Sequence, residues 1–331
     1  MKKRRPNLQN IADEIGVTKM TVSRCLRDPS KVSETTYQKV MEAIDRLGYI
    51  PNKAPELLSN AKSRSIGVLV PSLTNHVFAE VIRGIEHVTQ AQGYQTMLAH
   101  YGYSEEIEEE RISNLLAYHV DGLILSESHH SERTLKMIET ADIPVIEIMD
   151  LVTDPICKSI GFDNEKAGYE MTSLMIERGC KHVVYLGARL DHRTKLKLSG
   201  YTKAMLERDI LPVSVMTDKS STFSLGAELL VKAIEQYPET DGIFCTNDDL
   251  AIGALFECQR RGINVPEDLA IAGFHGHDVG QAMEPKLASV ITPRFEIGQE
   301  SAKQLLDCIN GVRLKKSSLD LGFSLFAGGT I

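Results

Sequence analysis

Long apolar runs, paired cysteines and glycine-rich phosphate loops are all missing from this 331-residue chain. Without 18 consecutive uncharged apolar residues, no membrane span is expected. The six cysteines (Cys25, Cys157, Cys180, Cys245, Cys258 and Cys308) form no C-x-x-C pair. That argues for reduced thiols and against both a disulfide framework and a cysteine zinc site. Neither G-x-G-x-x-G nor G-x-x-x-x-G-K-[ST] occurs, so dinucleotide and P-loop enzymes lack their cradle and no cofactor is expected. The basic opening "MKKRRPN" has no apolar stretch behind it, so a cytoplasmic protein is expected.

What is present is ordinary globular composition, with 42% hydrophobic and 25% charged residues, at a length that suits two or three domains. Charge is divided unevenly. Residues 1–64 carry 13 Lys/Arg against 7 Asp/Glu, a net +6, whereas the remainder carries 24 against 38, a net −14. A small basic module on an acidic body suggests that only the front end meets a polyanion.

That front end contains "NIADEIGVTKMTVSRCLRD" at residues 10–28. Leu8, Ile11, Ala12 and Ile15 fall at helical spacing, and Gly16 interrupts them. Thr18 can cap a second helix whose Val22 and Leu26 face inward. Ala12, Gly16 and Val22 stand where a helix-turn-helix needs a small residue, a turn and an apolar plug. A third helix is expected from Ser33, with Tyr37, Val40, Ile44 and Leu47 as its buried stripe. Such a unit leaves Thr18, Lys19, Met20, Thr21, Ser23 and Arg24 pointing outward, free to enter a major groove. Hydroxyls suit phosphate oxygens, Lys and Arg suit guanine acceptors, and Met20 suits a thymine methyl.

After Arg64 apolar strands such as "SIGVLV", "DGLILS" and "IPVIEIM" alternate with helical stretches, and a second series begins at "HVVYLGA". Alternation of this kind predicts an α/β architecture with two doubly wound parallel sheets. Two such lobes enclose a ligand cleft at the carboxyl ends of their strands. Metal chemistry is not expected there. "NDD" at residues 247–249 opens a helix after a strand, where capping is the cheaper reading. "FHGHD", with His275, His277 and Asp278, lacks a third site at helical ligand spacing. His129 and His130 read as an exposed loop, and "EEIEEER" as a solvated helix start.

"LQNIADEIGVTKMTVSRCLRDPSKVS", then "YIPN", then a short hinge segment, then "SIGVLVPS", resembles the lactose-repressor (LacI) family. Later pieces match in order ("GFDNEKAG", "FCTNDDLAIGA", "LAIAGFHG", "LASVITPR"), so the resemblance covers essentially the whole chain. Within the family the chain is similar to the gluconate-utilisation repressors and their idonate-responsive relatives. The resemblance implies a helix-turn-helix DNA-binding domain with hinge helix at 1–59 and a periplasmic-binding-protein-like effector and dimerisation domain at 64–331. It divides the latter into lobes of about 64–162 with 293–320 and 163–290 with 321–331. It also implies base reading by Lys19, Met20 and Arg24, and backbone contacts by Thr18, Thr21, Ser23 and Lys31. Leu58 would be the minor-groove wedge of the hinge helix, in which Pro55 replaces the usual alanine. No heptad segment closes the chain, so a homodimer without a tetramerising tail is expected.

Departures from the family pattern point to the ligand. Lys197 stands where many members place a ligand-reaching arginine, and Arg193 is an additional cation. His275 replaces an aspartate that binds sugar hydroxyls or purine, and Ser221 replaces an aromatic platform. An aspartate would repel an anion, whereas histidine would not. Arg193 and Lys197 could hold a carboxylate, with Asn247, Asp150, Asp163 and Ser72 for hydroxyls and Phe78 as an apolar wall. An open-chain sugar acid suits this set. The expectation is therefore a dimeric, non-enzymatic repressor that binds double-stranded operator DNA and releases it on binding gluconate or a relative. The alternative is a solute-binding protein for sugars or sugar acids.

Overall fold

The computed structural model describes residues 5–51, 62–313 and 315–331. The chain divides into two compact units, Met1–Ala61 and Lys62–Ile331. Leu58 and Pro55 lie outside the described residues.

In the first unit, helices α1 (Leu8–Ile15), α2 (Lys19–Arg27) and α3 (Glu34–Leu47) enclose Ile11, Ala12, Val22, Cys25, Val40, Ala43, Ile44 and Tyr49. Local chemistry sets their ends. Asn7 accepts the N–H groups of Gln9 and Asn10, while Asn10 reaches back to the Asn7 N–H, a reciprocal capping box. Thr18 and Ser33 accept from Thr21 and Thr36 at the starts of α2 and α3. Gly16 ends α1 at φ +71°, a left-handed conformation available to glycine without a Cβ penalty. The Glu14 carboxylate then pairs with Arg46, tying α1 to α3 across the surface.

The second unit alternates strands with helices. Its first sheet contains β1 (Ser65–Val70), β2 (Gln95–His100), β3 (Leu123–Leu125), β4 (Val145–Ile148) and β5 (Lys158–Gly161), joined near the end of the chain by β11 (Ser317–Asp320). The order is β11-β5-β4-β3-β1-β2, and every pair is parallel. The second sheet contains β6 (Val183–Ala188), β7 (Val213–Thr217), β8 (Gly242–Cys245), β9 (Ala270–His275), β10 (Ala288–Ile291) and β12 (Ser324–Phe326). Its order is β12-β10-β9-β8-β6-β7, with β12 alone antiparallel. The chain thus passes between sheets after β5, after β10 and after β11. β1, β4, β6, β8 and β9 are buried almost throughout, as strands covered on both faces require.

The covering helices of the first lobe are α4 (His76–Ala91), α5 (Glu105–Ala117) and α6 (Glu132–Ala141). Those of the second are α7 (Asn164–Glu177), α8 (His192–Leu206), α9 (Phe223–Gln236), α10 (Asp248–Arg261) and the short α11 (Asp278–Ala282). α12 (Arg294–Ile309) returns to pack on α4. Helices α7 and α8 cross at bare backbone. A Cβ on Gly200 would stand 1.9 Å from the Glu165 carbonyl, and one on Gly168 2.5 Å from the Lys197 carbonyl. That contact packs the Lys197 backbone directly against α7.

Two surface expectations are corrected. His130 is not on an exposed loop, because its side chain is 2% exposed and its Nδ1 lies 3.1 Å from Glu108 Oε1. "EEIEEER" is not wholly solvated either, since Glu108 is buried on the face that α5 turns toward His130. Neither group tolerates burial alone, and each supplies the other's partner.

Candidate functional site

Two regions concentrate functional side chains. On α2 the inward residues are Val22 and Cys25, so the residues between them turn out to solvent. Lys19 and Arg24 are exposed, Met20 is 62% exposed, and Thr21 and Ser23 are partly so. Thr18 supports the helix itself, because its hydroxyl caps α2 and lies 2.9 Å from the Thr21 hydroxyl. Lys31 is held 2.7 Å from Asp28 at the end of the short turn after α2. Lys19, Met20 and Arg24 thus stand free on α2, two cations and a deformable apolar side chain available to a partner.

The second region lies where both sheets reverse their strand order. In the first sheet the reversal falls between β1 and β3, and in the second between β6 and β8. Crevices outside the carboxyl ends of strands at such points bind ligands. Here a cavity is lined by Asn75, Phe78, Tyr103 and Met149 from the first lobe and by Arg189, Asp191, Arg193, Lys197, Asn247 and His275 from the second. Its free volume is about 30 Å³, so a sugar-sized molecule enters only if side chains move or the lobes part. Met149 (φ +75°), Arg189 (φ +67°) and His275 (φ +100°) all adopt positive φ without being glycine. Such strain gathers at binding sites, where the surrounding fold over-determines it.

Lys197 is the centre of the polar network. Its Nζ donates to the Thr246 carbonyl at 3.1 Å, lies 3.2 Å from His275 Nε2, and sits 3.9 Å from the Phe274 ring centre. Burial pushes its pKa down to about 7, with Arg193 and Arg189 adding to the effect and Asp191 opposing it. Burial and the adjacent Lys197 push His275 well below the usual histidine value, so that ring is neutral. With Nε2 accepting from Lys197, the ring proton sits on Nδ1, 3.2 Å from Thr292 Oγ1.

Arg193 reaches from α8 to the first lobe and donates to the Ser126 carbonyl at the end of β3. Burial alone would lower its pKa, but Glu127 and Asp191 outweigh burial and hold the guanidinium charged. Asp191 caps α8 by accepting from Thr194 at 2.8 Å. Burial works against its ionised form, yet Arg193, the Thr194 N–H and Lys197 keep its pKa below the ordinary value. The Asn247 side chain caps α10 through Oδ1, while its Nδ2 is buried with no partner.

Of the residues singled out for a ligand, Phe78, Arg193, Lys197, Asn247 and His275 converge on this cavity. Asp150 lies beside it, 3.6 Å from His192 and with burial raising its pKa against the pull of Arg193. Ser72, Asp163 and Ser221 do not line it. Ser72 accepts the N–H groups of Thr74 and Asn75, and Asp163 caps α7. Ser221 lies in the connection before α9, its hydroxyl buried and unpaired. Sequence reading missed Asn75, Tyr103, Met149, Arg189 and Asp191. The carboxylate that lines the cavity is consequently Asp191, and neither Asp150 nor Asp163 supplies it. "GARLDHR" carried the signal, a polar turn leaving a buried strand at a reversal point.

A small three-helix module with an exposed cationic helix, followed by two α/β lobes around a polar cavity, defines a ligand-responsive DNA-binding regulator rather than an enzyme. Residues 7–52 match the family of bacterial regulatory proteins of the lacI type, and residues 63–321 match the periplasmic binding proteins and sugar binding domain of the LacI family. The chain belongs to the LacI family. It is 59% identical over 331 residues, the full length of both chains, to the HTH-type transcriptional regulator GntR of Escherichia coli strain K12. It is 43% identical, again over the whole of both chains, to the regulator IdnR of the same strain. A LacI-family transcriptional regulator from Silicibacter pomeroyi superposes with a TM-score of 0.90 at 30% identity, covering 98% of this chain and 99% of that one. Among the described residues no helix is long and apolar enough to cross a membrane.

Proposed function

We propose that this protein is a homodimeric repressor of sugar-acid uptake and catabolism genes that leaves its operator when it binds gluconate or a close relative. The observation that carries the ligand class is the charge of the cavity. Arg189, Arg193 and Lys197 line the cavity with one carboxylate, Asp191, while Glu127 and Asp150 act on Arg193 from outside the lining and His275 is neutral. An aldonate carboxylate suits the cations that line the cavity, and its hydroxyls suit the unpartnered Asn247 amide. The relatives GntR and IdnR are transcriptional regulators, which supports the same reading.

On DNA, Lys19, Met20 and Arg24 read base edges, while Thr18, Thr21, Ser23 and Lys31 approach the backbone. Leu58 is the proposed minor-groove wedge. In the cleft, Arg193 and Lys197 take the carboxylate, with Phe78, Asn247, Asp150 and His275 around the polyol. Ser72, Asp163 and Ser221 take part only through a rearrangement on binding.

A ligand shifts the DNA-binding equilibrium only by its differential affinity for the two states. Competition between the carboxylate and the Ser126 carbonyl for Arg193 supplies such a difference, because that bond links the lobes. The test is operator release against gluconate concentration for the parent, Lys197→Ala and His275→Asp. Lys197→Ala is expected to bind operator normally without responding. His275→Asp is expected to weaken gluconate far more than its uncharged lactone. Normal response in the first variant, with unaltered acid preference in the second, refutes the ligand assignment.

A further inference from the structure

The sequence run "FHGHD" supplied no metal site by spacing alone, yet the fold brings His277 to two residues distant in the chain. His76 opens α4 in the first lobe, and Asp249 lies in the first turn of α10 in the second. One ligand atom from each of His76, Asp249 and His277 lies within 4.8 Å of the others. His277 Nδ1 is 3.4 Å and His76 Nδ1 3.8 Å from Asp249 Oδ1.

Independent of this proximity, the buried members lack other partners. The side chains of His277 and Asp249 are 3% and 8% exposed. Both His277 ring nitrogens and Asp249 Oδ1 are buried with no hydrogen-bond partner. Buried polar atoms are paired in the great majority of cases, so two neighbouring side chains with orphaned ligand atoms call for an occupant. The neighbouring carboxylate does not fill that role. Asp248 is committed to the His277 backbone N–H at 2.5 Å and the Ser289 hydroxyl at 2.7 Å, which fixes the His277 backbone.

We propose that His76, Asp249 and His277 bind a divalent transition metal of the zinc class and clamp the two lobes together beside the ligand cavity. Zinc bonds of 2.0–2.2 Å at tetrahedral angles place ligand atoms about 3.4 Å apart. His277 and Asp249 already stand at that separation. His76, whose side chain is 65% exposed at the helix start, closes the rest by a rotamer change. Two imidazoles and a carboxylate suit zinc better than magnesium or calcium, which prefer oxygen shells. A fourth position stays open for water. The His275 and His277 rings stack with centres 6.4 Å apart, so the metal would lie one ring away from the cavity.

The test uses the untagged full-length dimer, stripped with chelator and titrated with zinc, and separately with cobalt. The expected result is one zinc per chain, a tetrahedral cobalt spectrum and a zinc-dependent rise in the unfolding temperature of the parent. His76→Ala removes an exposed side chain and leaves the fold intact. Its zinc affinity is expected to fall by more than the roughly 10–100-fold typical of losing an outer-shell partner. Asp249→Asn and His277→Ala are expected to behave alike, and if either fails to fold, His76→Ala still decides. Equal zinc binding by the parent and His76→Ala overturns the proposal. So does absence of zinc binding, an octahedral cobalt spectrum, or loss of binding on His129→Ala, which would move the metal to the His129–His192 pair.

Discussion

The depressed pKa of Lys197 makes the response to a sugar acid depend on pH within the physiological range. Lys197 loses its proton near pH 7 in the free protein because the buried ammonium is desolvated. A carboxylate beside it restores the charge, so binding is coupled to proton uptake. At pH 6 about nine tenths of Lys197 is charged, and at pH 9 only about one hundredth. If the complex keeps the proton, gluconate affinity falls about a hundredfold over that interval, or about 2.7 kcal/mol. His275 contributes nothing to the slope, being neutral throughout. Glu147, which burial raises to about 6, lies at the end of β4 against His130 and is controlled for with Glu147→Gln. The assay is titration calorimetry with potassium gluconate from pH 6 to pH 9, in two buffers of different ionisation enthalpy. Expected are a plateau at the acid end, a loss of up to tenfold per pH unit above pH 7, and uptake of about half a proton at pH 7. Lys197→Met is expected to bind weakly and without slope. An affinity independent of pH in the parent, or an equal slope in Lys197→Met, refutes the argument.

The same lysine shapes the stability of the free protein. Between about pH 7 and 10.5 the unfolded chain holds a proton on Lys197 that the folded one has released. Stability therefore rises with pH across this window, by at most about 5 kcal/mol, and Lys197→Met flattens the rise in urea unfolding curves. Gly200→Ala forces a Cβ to within 1.9 Å of the Glu165 carbonyl. It is expected to destabilise the second unit by about 1–3 kcal/mol or more and to weaken gluconate by displacing Lys197, both measurable on one preparation. Lys19→Ala and Arg24→Ala are each expected to lose about 1–3 kcal/mol of discrimination between operator and random DNA. Equal weakening on both DNAs would place these side chains on phosphate alone.

Helix caps and periodicities are local, and the sequence by itself determined what depends on them. Gly16, Thr18 and the Ile11, Ala12 and Val22 pattern suffice for the helix-turn-helix, because each acts within a few residues of itself. Strand–helix alternation likewise determined the two α/β lobes, since a parallel strand pair needs a crossover whatever its neighbours. Phe78, Arg193, Lys197, Asn247 and His275 were legible because each departs from, or follows, a family pattern. Tertiary structure alone decided which groups share a site. Asp191 and Arg189 enter the cavity through the turn after β6, whereas Asp163 is drawn off to cap α7. Burial of Glu108 beside His130, and of Asp249 beside His277, reflects contacts between segments 22 and 28 residues apart in sequence. No periodicity encodes such distances. They arise only when both sheets are formed and their helices packed. Protonation belongs to the same class, because Lys197 and His275 owe their lowered pKa values to desolvation and to the cations packed around them.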